Sequence, residues 1–143
     1  WLSKINIPHE NIHRVKTEKA SAAEAAQNYE KELTDFFKAP LPFFDIVLLG
    51  MGDDGHTASL FPGSPALNEK KHAVISVPAP TTAKPAVERI SLTFPAINSS
   101  EFNAFMVSGE KKKAMALDII SGKINDVNTC PACGIKNARW ELA

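Results

Sequence analysis

His56 offers more chemistry than any other residue in this chain. It closes the run Gly50-Met-Gly-Asp-Asp-Gly-His56, which holds three glycines (Gly50, Gly52, Gly55) and two acids (Asp53, Asp54). Imidazole has an unperturbed pKa near neutrality, so at working pH it can take a proton from water. A carboxylate beside it, Asp53 or Asp54, would hold the ring in one tautomer or raise its basicity. Both acids are also natural turn formers, and capping the next turn is the plainer role for either. The histidine itself can equally hydrogen-bond a loop carbonyl and do nothing else. Thr57 and Ser59 can cap or donate to a ligand, and neither carries the signature of a nucleophile. The Gly-x-Gly-x-x-Gly spacing at 50–55 matches a dinucleotide loop only nominally. The acid wanted about 20 residues on is missing, and His72 opens the next strand instead.

Positive charge is available in two places. Arg89 stands just before a strand-like stretch. Lys111, Lys112 and Lys113 fall in the first turn of a helix that follows Gly109. Cations in a first turn oppose the helix dipole, and an anion bound at that end would remove the conflict. The alternative is a solvated face, which suits at least two of the three lysines. Cys130 and Cys133 form a Cys-x-x-Cys pair, the spacing of a redox couple or of half a zinc site. No second pair accompanies them and the four histidines are scattered, so they read as two ordinary loop thiols.

These groups need a scaffold, and the hydrophobic pattern supplies one. Residues 43–49 are apolar except for Asp45, as in a central parallel strand covered on both faces. Such a strand delivers its following loop to the carboxyl edge of a sheet, where ligands collect. Ser21-Ala-Ala-Glu24 is a capping box, and the spacing predicts a helix over 22–37 with Ala25, Ala26, Tyr29, Leu33, Phe36 and Phe37 as its apolar stripe. Pro40 and Pro42 stop it. Short strands are expected at 11–15, 73–77, 90–94 and 102–107, a short helix from Pro95, and a longer one from Gly109 to Ser121 with Gly122 beyond its end. The tail holds loop and one edge strand. Strands alternating with helices predict one α/β domain over 1–143, Rossmann-like and layered, with a largely parallel sheet.

Composition narrows the function. Sixteen basic and sixteen acidic residues cancel, leaving no electrostatic footprint for nucleic acid or an anionic membrane. No apolar run approaches the roughly 18–20 residues that span a bilayer. Nothing reads as a secretory leader, so the cytoplasm is the expected compartment. The oligomeric state is left open. The chain opens at Trp1 on what reads as a helix end, so a segment is expected upstream.

Three blocks in order carry a family resemblance. Phe44-Asp-Ile-Val-Leu-Leu-Gly-Met-Gly-Asp-Asp-Gly-His-Thr-Ala-Ser-Leu-Phe-Pro-Gly63, Arg89-Ile-Ser-Leu-Thr-Phe-Pro95 and Val107-Ser-Gly-Glu-Lys-Lys-Lys-Ala114 resemble the 6-phosphogluconolactonase family, sugar-phosphate isomerase-like α/β enzymes. The closing Trp140-Glu-Leu-Ala143 is similar to the family's ending, apart from a missing acid. The resemblance implies hydrolysis of 6-phospho-D-glucono-1,5-lactone in the pentose phosphate pathway, without metal or cofactor. His56 would be the general base, with Asp54 as the other catalytic position. Backbone N–H groups of Gly50, Gly52 and Gly55 would face the oxyanion. Arg89 and a lysine, best matched by Lys112, would hold phosphate or carbonyl oxygen. The resemblance also implies that a first strand, a phosphate loop and an Asp-x-Arg segment precede the part seen here. Glucosamine-6-phosphate deaminases share the fold, but their loop continues Ile-Gly-Phe-Asn-Glu-Pro where this one continues Thr57-Ala-Ser-Leu-Phe-Pro62. A non-catalytic sugar-phosphate-binding module is the third reading.

Overall fold

The computed structural model describes residues 4–18, 21–80 and 85–143. The helix end read at the start of the chain lies largely in residues 1–3, outside them. The predicted capping box forms: the Ser21 hydroxyl accepts from the Glu24 N–H at 3.2 Å, and the Glu24 carboxylate accepts from the Ser21 N–H at 2.9 Å. Helix α1 then runs Ala22–Phe37 and ends at Lys38, whose left-handed conformation (φ 53°) turns the chain toward the two prolines. Ser21→Ala leaves an orphan helix donor. It should lower unfolding stability by about 1 kcal/mol, read as a lower urea midpoint at unchanged m-value.

Five strands follow in two sheets. β1 (Ile46–Leu49), β4 (Phe102–Val107) and β5 (Ala138–Leu142) form a parallel sheet in the order β1-β4-β5. β2 (Val74–Val77) and β3 (Arg89–Leu92) form a separate antiparallel pair, the departure from an all-parallel arrangement. Helix α1 packs on that pair, where Ala26 and Leu33 share a cluster with Ala73 and Val74 and with Ala96 beyond β3. The Glu30 carboxylate reaches across to accept from the N–H groups of Ala73 and Val74. Its other oxygen lies 3.0 Å from His72 Nδ1.

Helix α2 (Phe94–Asn98) begins earlier than the pattern at 90–94 suggests. Thr93 caps it and Pro95 occupies its first turn, so Phe94 becomes helical instead of ending β3. The predicted strand at 11–15 is absent. A 3-10 turn covers His9–Asn11, and the segment beyond it lies along α1, where Tyr29 Oη donates to His13 O and Glu32 meets His13 Nδ1 at 2.7 Å. These hydrogen bonds run to helix side chains, which offer no ladder to join.

Among the described residues β1 is the edge of its sheet, and coverage is one-sided: Leu49 is buried while Ile46 and Leu48 are 51% and 62% exposed. The main core lies on the other face, where Phe105 is fully buried and stacks on Trp140 at 4.1 Å. Phe36, assigned to the α1 stripe, is also exposed. The four-residue strands β2 and β3 span about 13 Å, and the 16-residue helix that packs on them is about 24 Å long. Helix α3 (Glu110–Ile120) starts after Gly109 and ends with Ser121 and Gly122, as read.

Candidate active site

Parallel pairing of β1 with β4 places the 50–60 loop and the start of α3 at one carboxyl edge. The loop is cross-tied internally. Thr57, fully buried, donates from Oγ1 to the Gly50 carbonyl at 2.9 Å and closes its base. Gly52 N–H donates to His56 O at 2.9 Å, and Gly55 N–H to Gly52 O at 3.1 Å. Thr57 is therefore a clamp and not a ligand donor. The N–H groups of Gly52 and Gly55, expected to face an oxyanion, are used within the loop.

What these glycines provide is room. A Cβ on Gly52 would sit 2.2 Å from both His56 Cε1 and Nδ1, and 2.8 Å from Asp54 Oδ1. A Cβ on Gly55 would sit 2.6 Å from Cys130 Sγ, and Gly55 also holds a left-handed φ of 78°. The loop thus presses on the tail, where Ala132 N–H donates to Gly55 O at 2.9 Å. Nothing in the spacing of Cys130 announced this prop. The only available signal was that Gly55 stands where a side chain would be excluded.

His56 and Asp54 form a close pair. His56 Nδ1 lies 2.6 Å from Asp54 Oδ1, which also accepts from the His56 backbone N–H at 3.1 Å. The choice between the two acids is settled geometrically: Asp54 holds the ring. Burial pushes the Asp54 carboxyl up, but the His56 backbone N–H, the ring hydrogen bond and the ring's charge together bring it below its ordinary value. Its contribution to stability is therefore complete above the unfolded-state pKa and is lost as pH falls through the lowered folded value. The ring rests on Phe61 with centroids 4.6 Å apart, a neighbour the sequence reading did not single out. With Nδ1 engaged, Nε2 is the nitrogen left to meet a substrate or water.

Asp53 has a different partner. Lys112 Nζ, from the first turn of α3, stands 3.7 Å from Asp53 Oδ1. Of the three lysines, this is the one the structure ties to the histidine loop. Arg89 is not brought into contact with this group. It opens β3, donates from Nη2 to Pro85 O at 2.8 Å, and keeps a buried Nε without a partner among the described residues. Its link to the loop is indirect, through Ser91, whose Oγ accepts from Ser59 N–H at 3.0 Å.

Burial raises both thiols, Cys130 and Cys133, above the ordinary cysteine value, which opposes the thiolate a redox couple needs. Among the described residues no group of three His, Cys, Asp or Glu side chains stands close enough to hold a metal ion. No helix among them is long and apolar enough to cross a membrane.

Residues 1–142 match the profile of the glucosamine-6-phosphate isomerases/6-phosphogluconolactonase family. The chain belongs to this family. It is 40% identical over 116 residues to a 6-phosphogluconolactonase of Synechocystis, covering 79% of this chain and 46% of that one. It is 36% identical over 132 residues to the Homo sapiens 6-phosphogluconolactonase, covering 92% and 49%. The Thermotoga maritima 6-phosphogluconolactonase crystal structure superposes with a TM-score of 0.80 at 28% identity, over 99% of this chain and 60% of that one. The Trypanosoma brucei 6-phosphogluconolactonase gives 0.70 at 31% identity, over 88% and 54%. The chain spans about half the length of the curated relatives it matches.

Proposed function

We propose that this chain carries the acid–base half of a 6-phosphogluconolactonase site, which hydrolyses 6-phospho-D-glucono-1,5-lactone to 6-phosphogluconate in the pentose phosphate pathway. The observation that carries the reading is the 2.6 Å pair of His56 Nδ1 and Asp54 Oδ1 at a sheet's carboxyl edge, with Lys112 reaching the same loop. Asp54 fixes the Nδ1–H tautomer, so His56 Nε2 is free to accept a proton as water adds to the lactone carbonyl. Collapse of the tetrahedral adduct breaks the ring C–O bond. The ring oxygen takes up the proton from His56 and leaves as a hydroxyl, and the new carboxyl group ionises.

Lys112 supplies charge for the substrate's anionic group, with Arg89 as the second candidate. Its present partner, Asp53, is exposed, and exposed ion pairs are worth only about 0–1 kcal/mol. A phosphate dianion therefore displaces Asp53 readily. Lys112→Ala should raise KM about tenfold or more, the loss expected for one charge-assisted contact, with a smaller change in kcat. An unchanged KM would remove Lys112 from the binding role.

The relatives named above are lactonases, which favours this reading over amino-sugar deamination within the same family. The direct test is proton release from freshly generated lactone by this 143-residue chain, measured over the spontaneous background. Hydrolysis above background supports the proposal. A background rate from the folded chain sinks it for this chain.

A further inference from the structure

A second concavity lies at the opposite, amino edge of the parallel sheet, where α2 leads into β4 and the chain enters β5. It has a volume of about 460 Å³, within the range of small-molecule sites. Leu67, Phe94 and Val127 give it an apolar wall, while Lys70, Lys136 and Asn128 give it a polar one. No Asp or Glu lines it. Among the described residues neither lysine takes part in an ion pair. The nearest acid in sequence, Glu69, accepts from the backbone N–H groups of Lys70, Lys71 and His72 at 2.8, 2.6 and 3.0 Å. That carboxylate is turned to the backbone and forms no ion pair with Lys70.

The polar wall is also held in place. Asn98 Oδ1 accepts from Lys136 N–H at 2.8 Å, and Asn98 Nδ2 donates to Gly134 O at 3.0 Å. Asn103, fully buried, donates to Lys136 O at 2.8 Å. Two side-chain amides therefore fix the backbone of a lysine whose ammonium has no counter-charge. Two lysines without an acid partner beside an apolar wall suit a ligand with an anionic head and a carbon body.

We propose that this cavity binds a small organic phosphate, its phosphoryl group between Lys70 and Lys136 and its carbon body against Leu67 and Phe94. The site is separate from the His56 loop, although Val127, Asn128 and Gly134, which line the cavity, flank the Cys130 and Ala132 props of Gly55.

Phenyl phosphate is a suitable probe, followed by ¹⁵N–¹H spectra of this chain. The expected result is saturable shifts at Gly134, Lys136 and the Asn128 side-chain amide that persist in Lys112→Ala. The dissociation constant should rise about tenfold or more in Lys70→Ala/Lys136→Ala, because each lysine contributes a charge-assisted contact. Both lysines are exposed, so the double variant keeps the fold. Three results would overturn the assignment: no saturable shifts there, an unchanged constant in the double variant, or shifts that vanish with Lys112→Ala. The last would mean that the ligand sits at the carboxyl edge alone.

Discussion

His56→Asn should lower kcat for lactone hydrolysis by about 10²–10⁴, the typical worth of a positioned general base. Asparagine keeps a polar group near Asp54 but has no nitrogen that can take a proton from water near neutral pH. The fold should survive, because His56 sits in a surface loop whose ties run through backbone groups and Thr57. The aromatic contact given up is the ring on Phe61. Turnover and thermal unfolding measured on the same preparation separate the two effects. If kcat stays within a factor of two while the protein remains folded, His56 is not the base.

The local signals in the sequence that came true are those with a complete physical cause inside a few residues. The 22–37 helix had its capping box, its stripe and its stop, and α1 follows those bounds. α3 had a glycine at each end, and it and the strand at 102–107 appear where expected. Failures came where a segment's partner lies elsewhere. Residues 11–15 have strand-like composition, but the neighbour that arrives is α1, with side chains and no free ladder. Residues 46–49 have the apolarity of a strand covered twice, yet one face, with Ile46 and Leu48, is open in the described structure. Composition records what a face is suited to, and packing decides what covers it.

The site divides the same way. That one of two adjacent acids supports His56 was legible from spacing. The spacing left Asp53 and Asp54 open and the family resemblance pointed to Asp54; the turn aims its Oδ1 at both the backbone N–H and the ring, while Asp53 faces Lys112. Charge near a first turn pointed to three lysines alike, the resemblance matched Lys112 best, and helix phase brings that lysine to Asp53. The glycines were legible as a loop unsuited to packing, but their expected role as donors was not. Two of the N–H groups are occupied, and the space those residues leave is taken by other side chains.

That space makes Gly52→Ala the sharpest test of the site's geometry. The added methyl would lie 2.2 Å from two atoms of the His56 ring, and 2.8 Å from Asp54 Oδ1, so one or the other must move. The ring cannot retreat toward Phe61, which already lies 4.6 Å away between centroids, without displacing a buried aromatic side chain. The 2.6 Å hydrogen bond is therefore what gives way, and with it the fixed tautomer and the aim of Nε2. A misplacement of about 1 Å can cost on the order of 10²-fold in rate. Gly52→Ala should accordingly reduce kcat by about 10² or more, although it adds one methyl group and removes no functional group. Stability should change little by comparison, since Gly52 is not part of the main core and no left-handed φ is required at this position. Combined with His56→Asn, it should cost nothing further, because both act on one catalytic unit. Full additivity of the two losses would show that Gly52 serves the reaction by some route other than the His56–Asp54 pair. An unchanged kcat in Gly52→Ala would show that the reaction does not depend on that pair's geometry.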